Sequence, residues 1–270
     1  MNWKIVAENI RKELKNYLIE NKLKSLVLGV SGGIDSALCA VLAFPVCKEL
    51  NIPLIGRSLP IASNSIKEIE RAKAIGQSFC SNFNEVDLID QYQSFVDLTD
   101  DYEGCEESTR KEKIRKGNIK ARCRMIYLYN LSQLYGGMVL STDNLSELLL
   151  SFWTLHGDVG DYGMVQNLWK TEIYELAKYI ADEELTNDKH KEALRSCIEA
   201  TPTDGLGITN SDLDQLGAKS YDEVDLILQE HLFDITKHTD HPVIKRYYAS
   251  SFKRNNPINL KRNIIVKNAE

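Results

Sequence analysis

The sequence predicts an α/β fold: a doubly wound, mostly parallel sheet of five strands flanked by helices. Three observations carry this. Short continuous apolar runs, such as Leu26–Val30 and Met138–Leu140, alternate with longer stretches of helical period, as buried parallel strands and their crossover helices require. The apolar runs lead into polar loops (31–36, 58–65 and 141–147), the carboxyl edge where such sheets bind ligands. At 270 residues and 43% hydrophobic, the chain can bury a sizeable core as a single domain over 1–270.

The elements follow in order. A first helix is expected over 3–21, with Ile5, Val6, Ile10, Leu14 and Leu18 on one face. Its amphipathic pattern differs from the unbroken apolar core of a signal peptide, and no stretch reads as a membrane span. A buried strand follows at 26–30, then a helix from Ile34 that ends before Pro45 or soon after it. The next elements are a strand at 53–59, a helix at 64–79, a strand at 82–88 and a helix at 90–98. Residues 99–116 are charged and poor in large apolar side chains, and read as a surface loop, with part helix as the alternative. A helix at 118–135 and a fourth strand at 138–140 precede a helix at 144–153. The loop over 155–168 leads through a fifth strand to helices at 170–181 and 188–199. A second long loop over 200–212, a helix at 220–231 and a basic, asparagine-rich tail from Lys253 complete the chain.

The net charge of −6 argues against a nucleic-acid binder, which needs a basic face, but leaves room for a local basic site. Six cysteines show neither CxxC pairs nor zinc-like spacing with histidine, and read as reduced thiols of a cytoplasmic protein.

Chemistry concentrates in "SGGIDS", residues 31–36, between the first strand and the second helix. Gly32 and Gly33 let backbone N–H groups approach an anion, Ser31 and Ser36 add hydroxyls, and the helix N-terminus beginning at Ile34 adds partial positive charge. Phosphate is the natural ligand. The lysine of a Walker loop is missing, and Asp35 stands near its place. A carboxylate cannot hold phosphate directly, but it can hold the Mg²⁺ that does. A loop built for magnesium pyrophosphate leaves the α-phosphorus of ATP as the reactive atom, so the expected chemistry is AMP transfer with release of pyrophosphate.

This loop resembles the signature of the N-type ATP pyrophosphatases. "GNIKARCRM" (117–125), "STDNLSE" (141–147), "GDVGDY" (157–162), "LWKTEIYELA" (168–177) and "SYDEVD" (220–225) follow in the order found in NAD synthetases. The resemblance spans nearly the whole chain. It implies an adenine nucleotide alpha hydrolase-like fold, ATP as co-substrate, Mg²⁺, and amidation of deamido-NAD by ammonia through an adenylylated intermediate. It also implies a homodimer with the dinucleotide site at the interface. Ammonia is the expected direct donor, since no glutaminase domain is expected beside the synthetase domain.

The resemblance carries roles onto particular residues. Asp35 and Glu147 match metal ligands. Ser31, Gly32, Gly33, Ile34, Asp35, Ser36, Thr142, Lys170 and Thr203 match ATP contacts. Arg122, Asp161 and Lys253 match contacts to deamido-NAD, and Asp158 is the candidate to take a proton from ammonia. With Asp35 and Lys170, Asp158 makes up the expected catalytic set. The chain departs from the family pattern at Ser58, where an arginine is common, and at Leu155, Val159 and Phe252. Those departures bear on recognition of deamido-NAD. Three rivals remain at this point: a tRNA-modifying enzyme, disfavoured by the acidic charge; a nucleotide sensor; and a relative of GMP synthetase.

Overall fold

In the computed structural model of the chain, residues 1–61, 64–100, 108–201 and 212–265 are described. Four parallel strands form the sheet: β1 (Leu26–Gly29), β2 (Leu54–Ser58), β3 (Asn82–Glu85) and β4 (Met138–Val139), in spatial order β3-β2-β1-β4. The chain builds outward from β1 to β3, then returns to the other side of β1 to lay down β4. The order therefore reverses beside β1, and a crevice opens at the carboxyl ends of β1 and β4.

The fifth strand is a correction. Among the described residues it shrinks to a single parallel bridge between Leu140 and Tyr162. The glycine-rich run "GDVGDYG" has too few side chains to pack as a strand. Asp161 uses its side chain instead, accepting the Val139 N–H at 2.9 Å, while its own N–H donates to Val139 O. The edge of β4 is thus closed by one residue.

The helices sort onto two faces because side chains alternate along each strand. Leu26, Leu28 and Leu54 point into the main core, with α1 (Trp3–Glu20), α2 (Ile34–Leu50), α3 (Ile66–Phe79), α7 (Lys170–Tyr179) and α8 (Asp188–Ile198). Val27, Ile55 and Val139 face α5 (Thr109–Leu134), which packs with α4 (Ile89–Thr99). A separate small core joins α6 (Leu145–Leu150), α9 (Asp212–Leu216), α10 (Tyr221–Phe233) and α11 (Pro242–Ala249) around Leu150, Val224 and Ile244. The short helices α12 (Ser251–Arg254) and α13 (Arg262–Ile265) end the described chain.

α2 takes the later of its two expected ends, and two other boundaries differ from expectation. α2 runs straight through Pro45 to Leu50. Leu38 and Leu42 are fully buried, and each such side chain is worth about 1.5–3 kcal/mol, enough together to offset the roughly 3 kcal/mol of an internal proline. α5 begins at Thr109 and not at 118, with Ser108 capping it, so the segment 99–116 takes its partly helical alternative, held by Glu112–Lys116 and by both Arg115 and Lys116 on Asp100. α6 stops at Leu150 because Ser151 takes a left-handed conformation at φ 54°. No described helix is long and apolar enough to cross a membrane.

Candidate active site

A cleft of about 380 Å³ opens at the topological reversal. Its floor comes from the loop after β1. Gly32 sits at φ +82°, where a side chain is strained, and a Cβ there would lie 2.3 Å from the carbonyl oxygen of Glu68 on α3. The loop can therefore lie flat on α3 only with glycine at this point. Ser31 and Ser36 tie it internally: their hydroxyls are 3.0 Å apart, Ser36 Oγ donates to Gly33 O, and the Gly33 N–H donates to Ser31 Oγ. Gly33 caps α2 with no side-chain hydrogen bond. The first N–H groups of a buried 17-residue helix are thus left for a ligand, with the partial positive charge that favours an anion.

The opposite wall comes from the loop after β4. Asn144 is buried and caps α6, its Oδ1 accepting the Glu147 N–H at 3.0 Å. Its amide donates at 2.8 Å to Asp35 Oδ1. Lys170, 3% exposed, completes the junction: Nζ lies 2.6 Å from Asp35 Oδ2 and 2.8 Å from Glu147 Oε1. Burial works against its charge, but Asp35 and Glu147 outweigh this and hold its pKa well above the usual lysine value. One ammonium thus draws together two carboxylates from loops far apart in the chain. Both carboxylates remain on the cleft wall and part open to solvent.

Lys170 opens α7, where the helix dipole disfavours a cation. The position is secured from α10. Asp225, 2% exposed, accepts from Ser146 Oγ and from the Thr171 N–H at 2.9 Å. Ser146 Oγ in turn accepts the Lys170 N–H at 3.0 Å. The Tyr221 ring, also from α10, lies 5.3 Å beneath the ammonium.

The sequence profile of the NAD synthase family matches residues 6–257. Over 263 residues the chain is 32% identical to the NH(3)-dependent NAD(+) synthetase of Thermoplasma acidophilum, covering 95% of this chain and 96% of that one. The chain belongs to the NAD synthase family. Members of this family are ligases that amidate deamido-NAD with ATP and ammonia. Among solved structures, the NMN synthetase of Francisella tularensis superposes with a TM-score of 0.78 at 25% identity, covering 97% of this chain and 99% of that one. The NH3-dependent NAD synthetase of Campylobacter jejuni gives 0.71 at 25% identity, covering 97% and 100%.

In this NAD synthase chain the expected residues divide clearly. Ser31, Gly33, Ile34, Asp35 and Ser36 line the cleft, as do Thr142, Glu147, Asp158 and Lys253. Gly32 lies beneath the loop and Lys170 behind its two carboxylates. Thr203 falls outside the described residues. Arg122 and Asp161 are not on the cleft wall: Arg122 donates to Leu155 O at 3.1 Å, and Asp161 closes the sheet edge. Arg57 also lines the cleft, its Nη1 donating to Gly56 O and Asn82 O.

Asp158 reaches solvent within the cleft yet is crowded by protein. That crowding raises its carboxyl above the usual range, against the Thr154 N–H and the nearby Arg124 and Lys253. Asp143, 6% exposed, also lines the wall. Burial, then Asp158 and Glu147, push it well above the usual range, while Ser141 Oγ, donating at 3.1 Å, works the other way. On the α5 side, Arg124 is anchored to Leu59 O and Asn64 Oδ1. Beside it Lys253 lies over the Trp153 ring, with its ammonium on the carbonyls of Ser151 and Trp153. The cleft of an acidic chain thus gathers cations beside its carboxylates.

Sequence reasoning assigned no role to Asn144, Asp143, Ser146 or Asp225, although three of them lie within "STDNLSE". Asn144 carried a readable signal, a capping asparagine three residues before a glutamate. Asp225 ends the motif "SYDEVD", but nothing local shows its part, because its partners are 54 and 79 residues away.

Proposed function

We propose that the chain catalyses ATP-dependent amidation of deamido-NAD by ammonia, with release of AMP and pyrophosphate. The observation that carries this is the Asp35–Lys170–Glu147 junction facing an uncapped helix N-terminus. Two hard carboxylate donors beside an anion-binding loop fit Mg²⁺, which takes one or two carboxylates and completes its shell with phosphate oxygens and water. Bound between Asp35 and Glu147, Mg²⁺ would neutralise charge on the β- and γ-phosphates and ease departure of pyrophosphate.

The residues then take these parts. The 31–36 loop holds the β- and γ-phosphates, with Thr142 and Thr203 contacting ATP. Lys170 keeps the two carboxylates apart and in place. An oxygen of the nicotinate carboxylate attacks the α-phosphorus, and the bond to the β-phosphate oxygen breaks. Ammonia then attacks the acyl carbon, AMP leaves, and the nitrogen gives up a proton. Asp158, whose crowding makes it more basic than an ordinary aspartate, accepts that proton. Lys253 supplies positive charge for the dinucleotide. Arg122 and Asp161 reach substrate only in a homodimer, through an interface that includes the exposed stripe of α5 at Ile126 and Leu134. The expected setting is the cytoplasm, where ATP and reduced thiols coincide. The near-complete overlap with an NH3-dependent relative supports ammonia as the direct donor.

A second reading is favoured by one observation: the Francisella NMN synthetase fits better than the Campylobacter NAD synthetase, by TM-scores of 0.78 and 0.71. The acid would then be the mononucleotide, with the same chemistry and a smaller substrate.

One experiment separates the readings. The protein is incubated with ATP, Mg²⁺ and ammonium, with deamido-NAD or nicotinate mononucleotide in parallel, and products are read by mass spectrometry. NAD with equimolar AMP, faster from the dinucleotide, is expected. Faster formation of NMN establishes the second reading. AMP from neither acid defeats both, and glutamine in place of ammonium is expected to give no product.

A further inference from the structure

Arg71 lies on α3, the helix on which the 31–36 loop rests. Its Nε–H donates to the Gly32 carbonyl at 2.9 Å, and its side chain lines the cleft. It is half-buried, and no carboxylate among the described residues comes within ion-pair distance of it. Its two terminal nitrogens have no hydrogen-bond partner among the described residues. Across the cleft wall, the Cys197 thiol on α8 feels this charge: burial pushes that thiol up to about 11, and Arg71 pulls the other way.

A partly desolvated guanidinium without a counterion is costly, and four of its five N–H donors are left over. The Nε anchor fixes the plane of the group, so the remaining donors form a rigid fork beside the loop. The loop itself lacks the lysine with which Walker loops meet the β- and γ-phosphates. Lys170, the other cation at the junction, is already spent on Asp35 and Glu147.

We propose that Arg71 is a phosphate-binding residue that supplies, from α3, the cation the loop does not carry, clamping the pyrophosphate portion of ATP while holding Gly32 in place. This rests on the reading that the loop takes the phosphates of ATP.

The test is calorimetric titration of the full chain with pyrophosphate plus Mg²⁺, and separately with adenosine, for wild type, Arg71→Gln and Arg71→Lys. Arg71→Gln is expected to weaken pyrophosphate about 10-fold or more, the loss of one charge-assisted contact, and to leave adenosine within about 2-fold. Arg71→Lys, which keeps charge but loses the fork, is expected to fall between. Unchanged pyrophosphate affinity in Arg71→Gln overturns the proposal. So does an equal loss for adenosine, which marks Arg71 as a support of the loop alone. If Arg71→Gln does not fold, Arg71→Lys decides: a loss of about 3-fold or more for pyrophosphate alone upholds the proposal, and no loss overturns it. Wild-type protein that ignores pyrophosphate defeats the reading of the loop and the proposal with it. Wild-type binding with an indifferent Arg71→Gln defeats the proposal alone.

Discussion

Lys170 Nζ lies 2.6 Å from Asp35 Oδ2, across 135 residues of sequence, in a pocket that leaves the lysine 3% exposed. The same ammonium meets Glu147, so one buried cation balances two carboxylates. Such a group stabilises mainly by its completeness. Removing the cation leaves two like charges facing each other with little water to screen them. Lys170→Met is expected to cost about 3–5 kcal/mol in denaturant unfolding and to abolish turnover. A stability loss below about 1 kcal/mol, the range of a surface pair, would show that the junction is open to water.

Asp35→Ala removes one arm while Lys170 keeps Glu147. The fold is expected to survive, as near- and far-ultraviolet circular dichroism would report. Turnover is expected to fall by about 10²–10³-fold or more, the scale for losing one preorganised electrostatic element. Normal activity in a folded Asp35→Ala protein would sink the proposed mechanism.

Asp143 gives a prediction in pH. Its native pKa is raised by burial, Asp158 and Glu147. The native chain therefore holds a proton that the unfolded chain releases. The resulting stability is complete below the unfolded aspartate value of about 3.9 and is lost as pH rises through the raised native value. Asp143→Asn mimics the protonated acid. It is expected to be more stable than wild type at about pH 7 and equal to it near about pH 3.5, each tenfold difference in proton affinity between the native and unfolded chains being worth about 1.4 kcal/mol. Unfolding curves at several pH values check the sign; equal stability throughout would place Asp143 in a water-like setting.

Asp225 holds the start of α7 from another helix, through Ser146 and the Thr171 N–H. Asp225→Ala leaves buried donors unpaired, at about 1–3 kcal/mol each. The expected result is lower stability together with a raised KM for ATP, since Lys170 loses its frame. Lost stability with an unchanged KM would confine Asp225 to folding. Asp225→Asn keeps an acceptor for one donor and is expected to lose less of both.

Much of this was legible in the chain itself. The apolar run before "SGGIDS" located β1, and the glycines located the turn. Local rules also reached helix starts: serine or asparagine stands at the caps of α3, α6 and α8. They fell short where a neighbour outweighs local preference. Pro45 left two ends open for α2, and burial along most of the helix decides for the later one at Leu50. The charged run after 108 is helical, because ion pairs one turn apart and a serine cap suffice.

The class of fold, the anion loop and the family of chemistry can be read from the chain alone, because each rests on residues close together in it. Packing in three dimensions was needed to establish that Lys170 faces Asp35 and Glu147, that Asp225 holds it there, and that Arg71 lies beside the loop. Packing also put Asp161 at a sheet edge and reduced the fifth strand to one bridge. Those relationships join segments tens to more than a hundred residues apart. They are set by how helices stack on a twisted sheet, and no local periodicity encodes that.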